Sequence, residues 1–388
     1  VDGVACPVCG TSERIEVLDL PLLPVDLNSQ VDPSAASGVD KGPTSLVACT
    51  GCSHLYNQAF DPQLIDYTAS YENTLHYSEQ FRAFANELAD RLIERYDLVG
   101  ETVVEVGCGP GHFLSMLAER GIAAGRGFDP SYDPERLEAP GHRAVTVTSE
   151  LLGPDTTISA RLAVSQHVLE HLQDPVGLLS TFRQVVGEEG AVYSEVPNGE
   201  LMLGHTALWD LIYEHVSYFT PPSLRTALKR AGLDVVDGGT AFGDQFLWMD
   251  GRQGVVVDDH LPPRSEVDPL LAAAEAFGRT ARGRLDAAAD ELARWIERGP
   301  VALWGAGTKG MTYLNLVAGA EQVAAVVDIN PRKRGFGVPG TGLAIGEPSA
   351  LTVVQPETVL IANPIYCDEI SSSLAELDVR AEVVPLWS

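Results

Sequence analysis

Apolar residues at Phe81, Phe84, Leu88, Leu92 and Tyr96 recur at the spacing of one helical face and predict a helix over 80–98 that stops near Gly100. The pattern then changes. TVVEVG (102–107) reads as a buried parallel strand, GCGPG as a glycine-rich turn and HFLSMLAERG as the helix that follows. A strand, turn and helix of this kind is the repeating unit of a doubly wound α/β sheet. Further units are legible in GIAAGRGFDP, RLAVSQHVLEHL and GAVYSEVPN, each a strand ending in a polar tip. An Ala-, Leu- and Arg-rich stretch over 269–298, with no proline after its first residue, predicts a long helix. Beyond it the opening pattern returns: PVALWGAGTKG reads as strand, turn and helix start, and QVAAVVDINP as a strand ending at Asp328.

These segments divide the chain into a small module (1–66), a first α/β domain (67–258), a bridging helix (259–298) and a second α/β domain (299–388). A chain of 388 residues, 45% of them hydrophobic, can build more than one core. The sequence contains no stretch of eighteen uncharged apolar residues, and VDGVACPVCG has neither a basic region nor an apolar run. A cytoplasmic chain without a membrane partner is therefore expected; its oligomeric state is not legible, and a monomer is compatible. With 26 basic and 54 acidic residues the net charge of −28 repels polyanions and speaks against a nucleic-acid partner. A small anionic substrate stays compatible, because Arg332, Lys333 and Arg334 cluster locally, although such a cluster is also what a solvated loop looks like.

Four of the six cysteines form two pairs, Cys6 with Cys9 in CPVCG and Cys49 with Cys52 in CTGCSHLY. The two-residue gap lets both thiolates of a pair reach one ion, and four thiolates close a tetrahedron with no open position. The expectation is structural Zn2+. A redox dithiol would need only one such pair, and two disulfides suit a cytoplasmic chain poorly. The intervening LPLLPVDLNSQVDPSAASGVDKGP, rich in Pro, Ser, Asp and Gly, reads as a long excursion on a metal-stapled module.

Two glycine turns carry different readings. Gly107, Gly109 and Gly111 lie between the acidic Glu105 and a second strand ending in Phe128, Asp129 and Pro130. Asp129 stands where a carboxylate can accept both ribose hydroxyls, and the glycines would let the methionyl part of S-adenosylmethionine pass close to the backbone. Gln166 and His167, at the tip of a later strand, also face this cofactor position. The second turn, with Gly305, Gly307 and Gly310 followed by Asp328, fits the dinucleotide spacing fully. Alone it suggests NAD, or a scaffold whose glycines serve only packing.

The combination of CPVCG with CTGC, EVGCGPG, SQHVLEHLQDP, EVPN, YEHVSYFTPPSL and WGAGTKG resembles the sugar C-methyltransferases of deoxysugar pathways, over essentially the whole chain. Members carry a zinc-binding N-terminal domain, a central class I S-adenosylmethionine domain and a C-terminal Rossmann-like domain. The resemblance implies a nucleotide-linked 4-keto-6-deoxysugar as substrate, methylated on the carbon beside the ketone. It also moves the second turn from a cofactor site toward holding the sugar nucleotide, with Lys309 and Arg332 meeting its diphosphate. One departure is visible: relatives have a tyrosine two positions before the Glu-His pair, where this chain has Ile212, so Tyr213 or Tyr218 would have to supply the hydroxyl.

Removing a proton beside a ketone needs a base, and His215 is the candidate, since an imidazole titrates near neutrality; Glu214 would orient it or hydrogen-bond the sugar. Tyr71 and Tyr77, which a packed linker would equally explain, and Asn198 are candidate substrate contacts, and His171 is expected to be structural. Rival readings are a sugar O- or N-methyltransferase on the same scaffold, an NAD-dependent oxidoreductase or epimerase, and a non-catalytic zinc scaffold.

Overall fold

A computed structural model describes residues 5–65, 72, 74–134, 142–257 and 260–386. The expected boundaries near 66 and 258, and Tyr71, lie outside the described residues.

The chain opens with antiparallel β1 (Arg14–Pro24), β2 (Lys41–Cys49) and β3 (Leu55–Asn57). The expected excursion is thus shorter than its composition suggested, because LPLLP is strand. β1 is an edge strand, so the missing N–H of proline can face away from the ladder, and two register shifts absorb the irregularity. Helix α1 (Glu79–Tyr96) follows, capped by the Ser78 side chain and stopped by Asp97 at φ 51°, with Phe81, Ala85, Leu88, Ala89, Leu92 and Tyr96 on its buried face.

The central domain then runs β4 (Thr102–Val106), α2 (His112–Glu119), β5 (Ala124–Phe128), β6 (Val145–Thr148), β7 (Leu162–Gln166), α3 (Pro175–Val186), β8 (Ala191–Pro197), α4 (Gly199–His205), β9 (Ser217–Tyr218), α5 (Pro221–Arg230), β10 (Leu233–Ala241) and β11 (Phe246–Gln253). Its seven-stranded sheet has the order β10-β11-β8-β7-β4-β5-β6, parallel from β8 to β6 and closed by the antiparallel β11 and β10. Strand order reverses at β4, so a crevice opens beyond the carboxyl ends of β4 and β7. β9 leaves this sheet and pairs with β3, tying the central domain to the N-terminal sheet.

Helix α6 (Arg264–Arg298) starts five residues before the predicted helix and takes Pro269 inside its second turn, where one hydrogen bond is lost. The last domain is a parallel five-stranded sheet of β12 (Val301–Trp304), β13 (Ala325–Val327), β14 (Ile345–Gly346), β15 (Thr358–Ile361) and β16 (Glu382–Pro385), with helices α7 (Thr308–Leu316), α8 (Leu351–Val354) and α9 (Cys367–Glu376). Its order, β14-β13-β12-β15-β16, again reverses at the first strand.

α6 does more than bridge. It crosses β1 so closely that a Cβ on Gly278 would lie 2.0 Å from the Val17 carbonyl oxygen. Its Phe277 and Leu292 share one core with Leu46 and Leu55 of the N-terminal sheet, Met202 and Trp209 of the central domain, and Leu303 and Met311 of the last.

Candidate active site

Both sheets direct their reversal points at one cavity of about 430 Å³, lined by residues of both glycine turns. In the first turn, Gly107 at φ 72° packs under Val168, where a Cβ would meet Cγ2 at 2.2 Å, and Gly111 at φ 85° packs against Val147. Gly109 has nothing within 4 Å of a would-be Cβ. The second turn repeats this division: a Cβ on Gly310 would lie 2.1 Å from the Gly305 carbonyl oxygen, whereas Gly307 faces open space. Each turn therefore spends its outer glycines on its own packing and leaves the middle one open to the cavity.

The acids after the second strands match as well. Asp129 Oδ2 accepts from Gly109 N at 2.7 Å and its Oδ1 accepts from Ser131 N at 2.9 Å. Asp328 Oδ2 accepts from Ala306 N at 2.7 Å and its Oδ1 accepts from Asn330 N at 2.8 Å. Beside Asp129, the fully enclosed Glu105 is pushed up to about 8 by burial and by the Asp129 charge. Beside Asp328, Lys333 donates to Ala306 O at 2.8 Å, and burial pulls its ammonium down despite Asp328 and Glu72.

The end of β7 supplies a cluster of imidazoles and carboxylates. His167 adopts φ 56° and aims Nδ1 at Glu170 Oε1 (3.4 Å) and Nε2 at Glu195 Oε1 (3.5 Å), with its ring against Phe246. Although enclosure opposes its charge, the two carboxylates raise His167 to about 9. His171 meets Glu214 O through Nδ1 at 3.0 Å, and its ring stands edge-on to His215 at 4.8 Å. His215 opens on the cavity and is otherwise enclosed. Its Nδ1 has no hydrogen-bond partner among the described residues. Enclosure first, then the neighbouring His171, His167 and Lys309, hold His215 well below the ordinary histidine range. From the last domain, Lys309 pairs with Asp210 across the cavity wall.

Of the residues singled out in the sequence, Glu105, Gly107, Gly109, Asp129, Gln166, His167, Asn198, His215, Tyr218, Lys309 and Tyr77 line the cavity. Phe128, Pro130, Gly111, Tyr213, Glu214 and Arg332 are not among its lining residues. Tyr213 turns to the N-terminal module, its hydroxyl accepting from Asp61 N and donating to Asp61 O. Tyr218 does line the wall, but its hydroxyl is tied to Ile212 N and O. Both ends of the Asn198 amide are engaged, capping α4 at Glu200 N and Leu201 N and donating to Asp244 O. Arg332 pairs with Glu72 while Lys333 faces the cavity. His171, expected to be structural, lines the cavity, as do Glu72, His76, His112, Glu170 and Asp210, which the sequence had not singled out. His112 directly follows the glycine turn and Glu170 directly precedes His171, positions that could have flagged both.

The paired cysteines converge: Cys6 and Cys52 sulfurs are 3.8 Å apart, Cys9 and Cys49 sulfurs 3.4 Å, and all four ligand atoms lie within 4.8 Å of one another. Mutual hydrogen bonding splits them, Cys49 and its neighbours holding Cys9 low while Cys52 is pushed up. Four sulfurs this close can all be thiolates only around a cation, so the donor set fits a tetrahedral metal. They sit in the same core as Phe219, Leu224 and Leu228 of the central domain.

A family described as "Methyltransferase domain" matches residues 77–237, and one described as "C-methyltransferase C-terminal domain" matches 271–383. The C-methyltransferase NovU of Streptomyces niveus is 25% identical, over 94% of this chain and 90% of its own. A ubiquinone biosynthesis O-methyltransferase of Neisseria meningitidis is 26% identical over 36% of this chain and 67% of its own. Among solved structures, an S-adenosylmethionine-dependent methyltransferase from Mesorhizobium loti has 18% identity and a TM-score of 0.36, covering 44% of this chain and 100% of that one.

Proposed function

We propose that this chain, an S-adenosylmethionine-dependent methyltransferase in which residues 271–383 match a C-methyltransferase C-terminal domain, methylates a nucleotide-linked deoxysugar on the carbon beside a 4-keto group. The observation that carries this reading is the shared cavity: two glycine turns with open middle glycines line it together, and the His215 imidazole lies in the wall they share. An oxidoreductase reading of the second turn gives way to a substrate-holding one. Gly109, Asp129 and Glu105 would hold the cofactor, and Gly307, Lys309 and Lys333 the nucleotide of the acceptor.

S-adenosylmethionine supplies the electrophilic methyl group. A ring nitrogen of His215 takes the proton beside the ketone, leaving the electron pair on the enolate. A base held well below the ordinary histidine range is fully unprotonated at neutral pH, so it is ready without prior deprotonation. The four sulfurs fit zinc, with no open position for chemistry.

Incubation of candidate nucleotide-linked keto sugars in deuterated water tests the reading. Exchange of the proton beside the ketone, abolished in His215→Asn, and a C-methyl product by mass spectrometry are expected. Transfer to a hydroxyl or amine without such exchange would replace C-methylation by an O- or N-methyl product.

A further inference from the structure

Resting on the reading that His215 is the base, we infer that Glu170, and not the adjacent Glu214, is the positioning carboxylate that balances the charge His215 gains. Glu214 neighbours His215 in sequence, but its side chain leaves the site: Oε1 accepts from Leu27 N at 2.6 Å, and the residue does not line the cavity. Only its carbonyl reaches the site, as acceptor for His171.

Glu170 is 1% exposed yet lines the cavity, and one of its oxygens lies within 4.8 Å of ring nitrogens of both His171 and His215. Neither oxygen has a hydrogen-bond partner among the described residues. The contact that fixes the carboxylate is the ion pair to His167, whose other nitrogen faces Glu195. Ionised carboxylates only accept, so a ring between two of them carries both protons. The two carboxylates hold His167 as an imidazolium, its Nδ1 3.4 Å from Glu170 and its Nε2 3.5 Å from Glu195. Its backbone at φ 56° is uncommon for a non-glycine residue and places the ring between these two strand tips.

His215 is faced by His171 and His167 from the β7 loop, Lys309 from α7, Asp210 from the turn before it and Tyr218 from β9. Three of these are basic. When His215 takes the substrate proton, the new positive charge arises among them, and Glu170 is the buried carboxylate within 4.8 Å. The proton stays on His215; Glu170 supplies counter-charge alone.

The pH dependence of kcat in wild type, Glu170→Gln and Glu214→Gln decides this. Loss of the counter-charge makes the imidazolium harder to form, so in Glu170→Gln the acidic limb moves down by about one pH unit and kcat at neutral pH falls about tenfold or more, with KM for S-adenosylmethionine unchanged. Glu170→Asp, which keeps the charge, restores most of the rate, and Glu214→Gln keeps the wild-type limb. An unmoved limb in Glu170→Gln, or a limb moved by Glu214→Gln, overturns the proposal. So does a rate that rises when Mn2+ is added to the protein as purified, because the carboxylate and two imidazoles would then be acting as ligands.

A second reading needs no acceptor and no variant. In wild type labelled at carboxyl carbons and histidine nitrogens, the Glu170 carboxyl resonance is expected to follow the His171 and His215 titration. Indifference of that resonance rejects the pairing whatever the acceptor is, whereas methyl transfer surviving in His215→Asn rejects the base assignment instead.

Discussion

Residue by residue, burial and neighbouring charge act together on Glu105 and His215 of this cavity and against each other on His167 and Lys333. Glu105 stays protonated in the fold up to about pH 8, while in the unfolded chain it ionises near 4.5. The unfolded state therefore binds fewer protons across that window, and this carboxyl's contribution to stability falls as pH rises through it, by about 1.4 kcal/mol per unit at most. Glu105→Gln removes that loss. In urea unfolding its advantage over wild type is expected to be small below pH 4.5 and to grow to a few kcal/mol by pH 8; a difference independent of pH would show that Glu105 is ionised in the fold. Glu105 and Asp129 were legible as a pair because one stands just before a glycine turn and the other at the end of the next strand. The His215 surroundings were not. Glu214 is its chain neighbour but points to Leu27, and Glu170 comes from forty-five residues away. Lys333 and Arg332 exchange expected places for the same reason, since adjacent side chains on a turn diverge.

At the level of elements, the two glycine turns separate packing from binding in a testable way. Gly310→Ala drives a Cβ into the Gly305 carbonyl and is expected to lower stability by about 1–3 kcal/mol, read as a lower thermal midpoint. Gly307 has φ −95° and ψ −175°, open to any residue, and faces empty space. Gly307→Val should thus leave the midpoint within a degree or two while weakening the acceptor and sparing S-adenosylmethionine, as calorimetric titration of each ligand would show. Equal loss of both ligands would place the cofactor across both turns. Asn198, proposed as a substrate contact, is tied into its own helix start: Asn198→Ala is expected to cost about 1 kcal/mol through the lost cap. The strand, turn and helix periods were legible because they are local. LPLLP was missed because only an edge position makes a proline-rich strand permissible.

Over the whole molecule, the four-cysteine lobe is no appendage. Its cysteines share a core with α3, α5 and the segment after β9, Arg230 donates to Val8 O at 2.6 Å, and β3 pairs with β9. Cys49→Ser is therefore expected to lower one common unfolding transition in calorimetry, by about 2–5 kcal/mol; a separate low-temperature transition with the main one unmoved would make the lobe an independent unit. α6 likewise joins three sheets in one core.

The order of elements, the two glycine turns with their acids and the four cysteines were all specified along the chain, because strand and helix periods, turn chemistry and ligand spacing depend on residues a few positions apart. Folding alone established that both turns open on one cavity, that Tyr213 and Glu214 turn away from it, and that Glu170, His171 and Lys333 turn in. Those outcomes depend on how separate strands reverse and on which side of a loop each side chain leaves, and no spacing along a single chain encodes either.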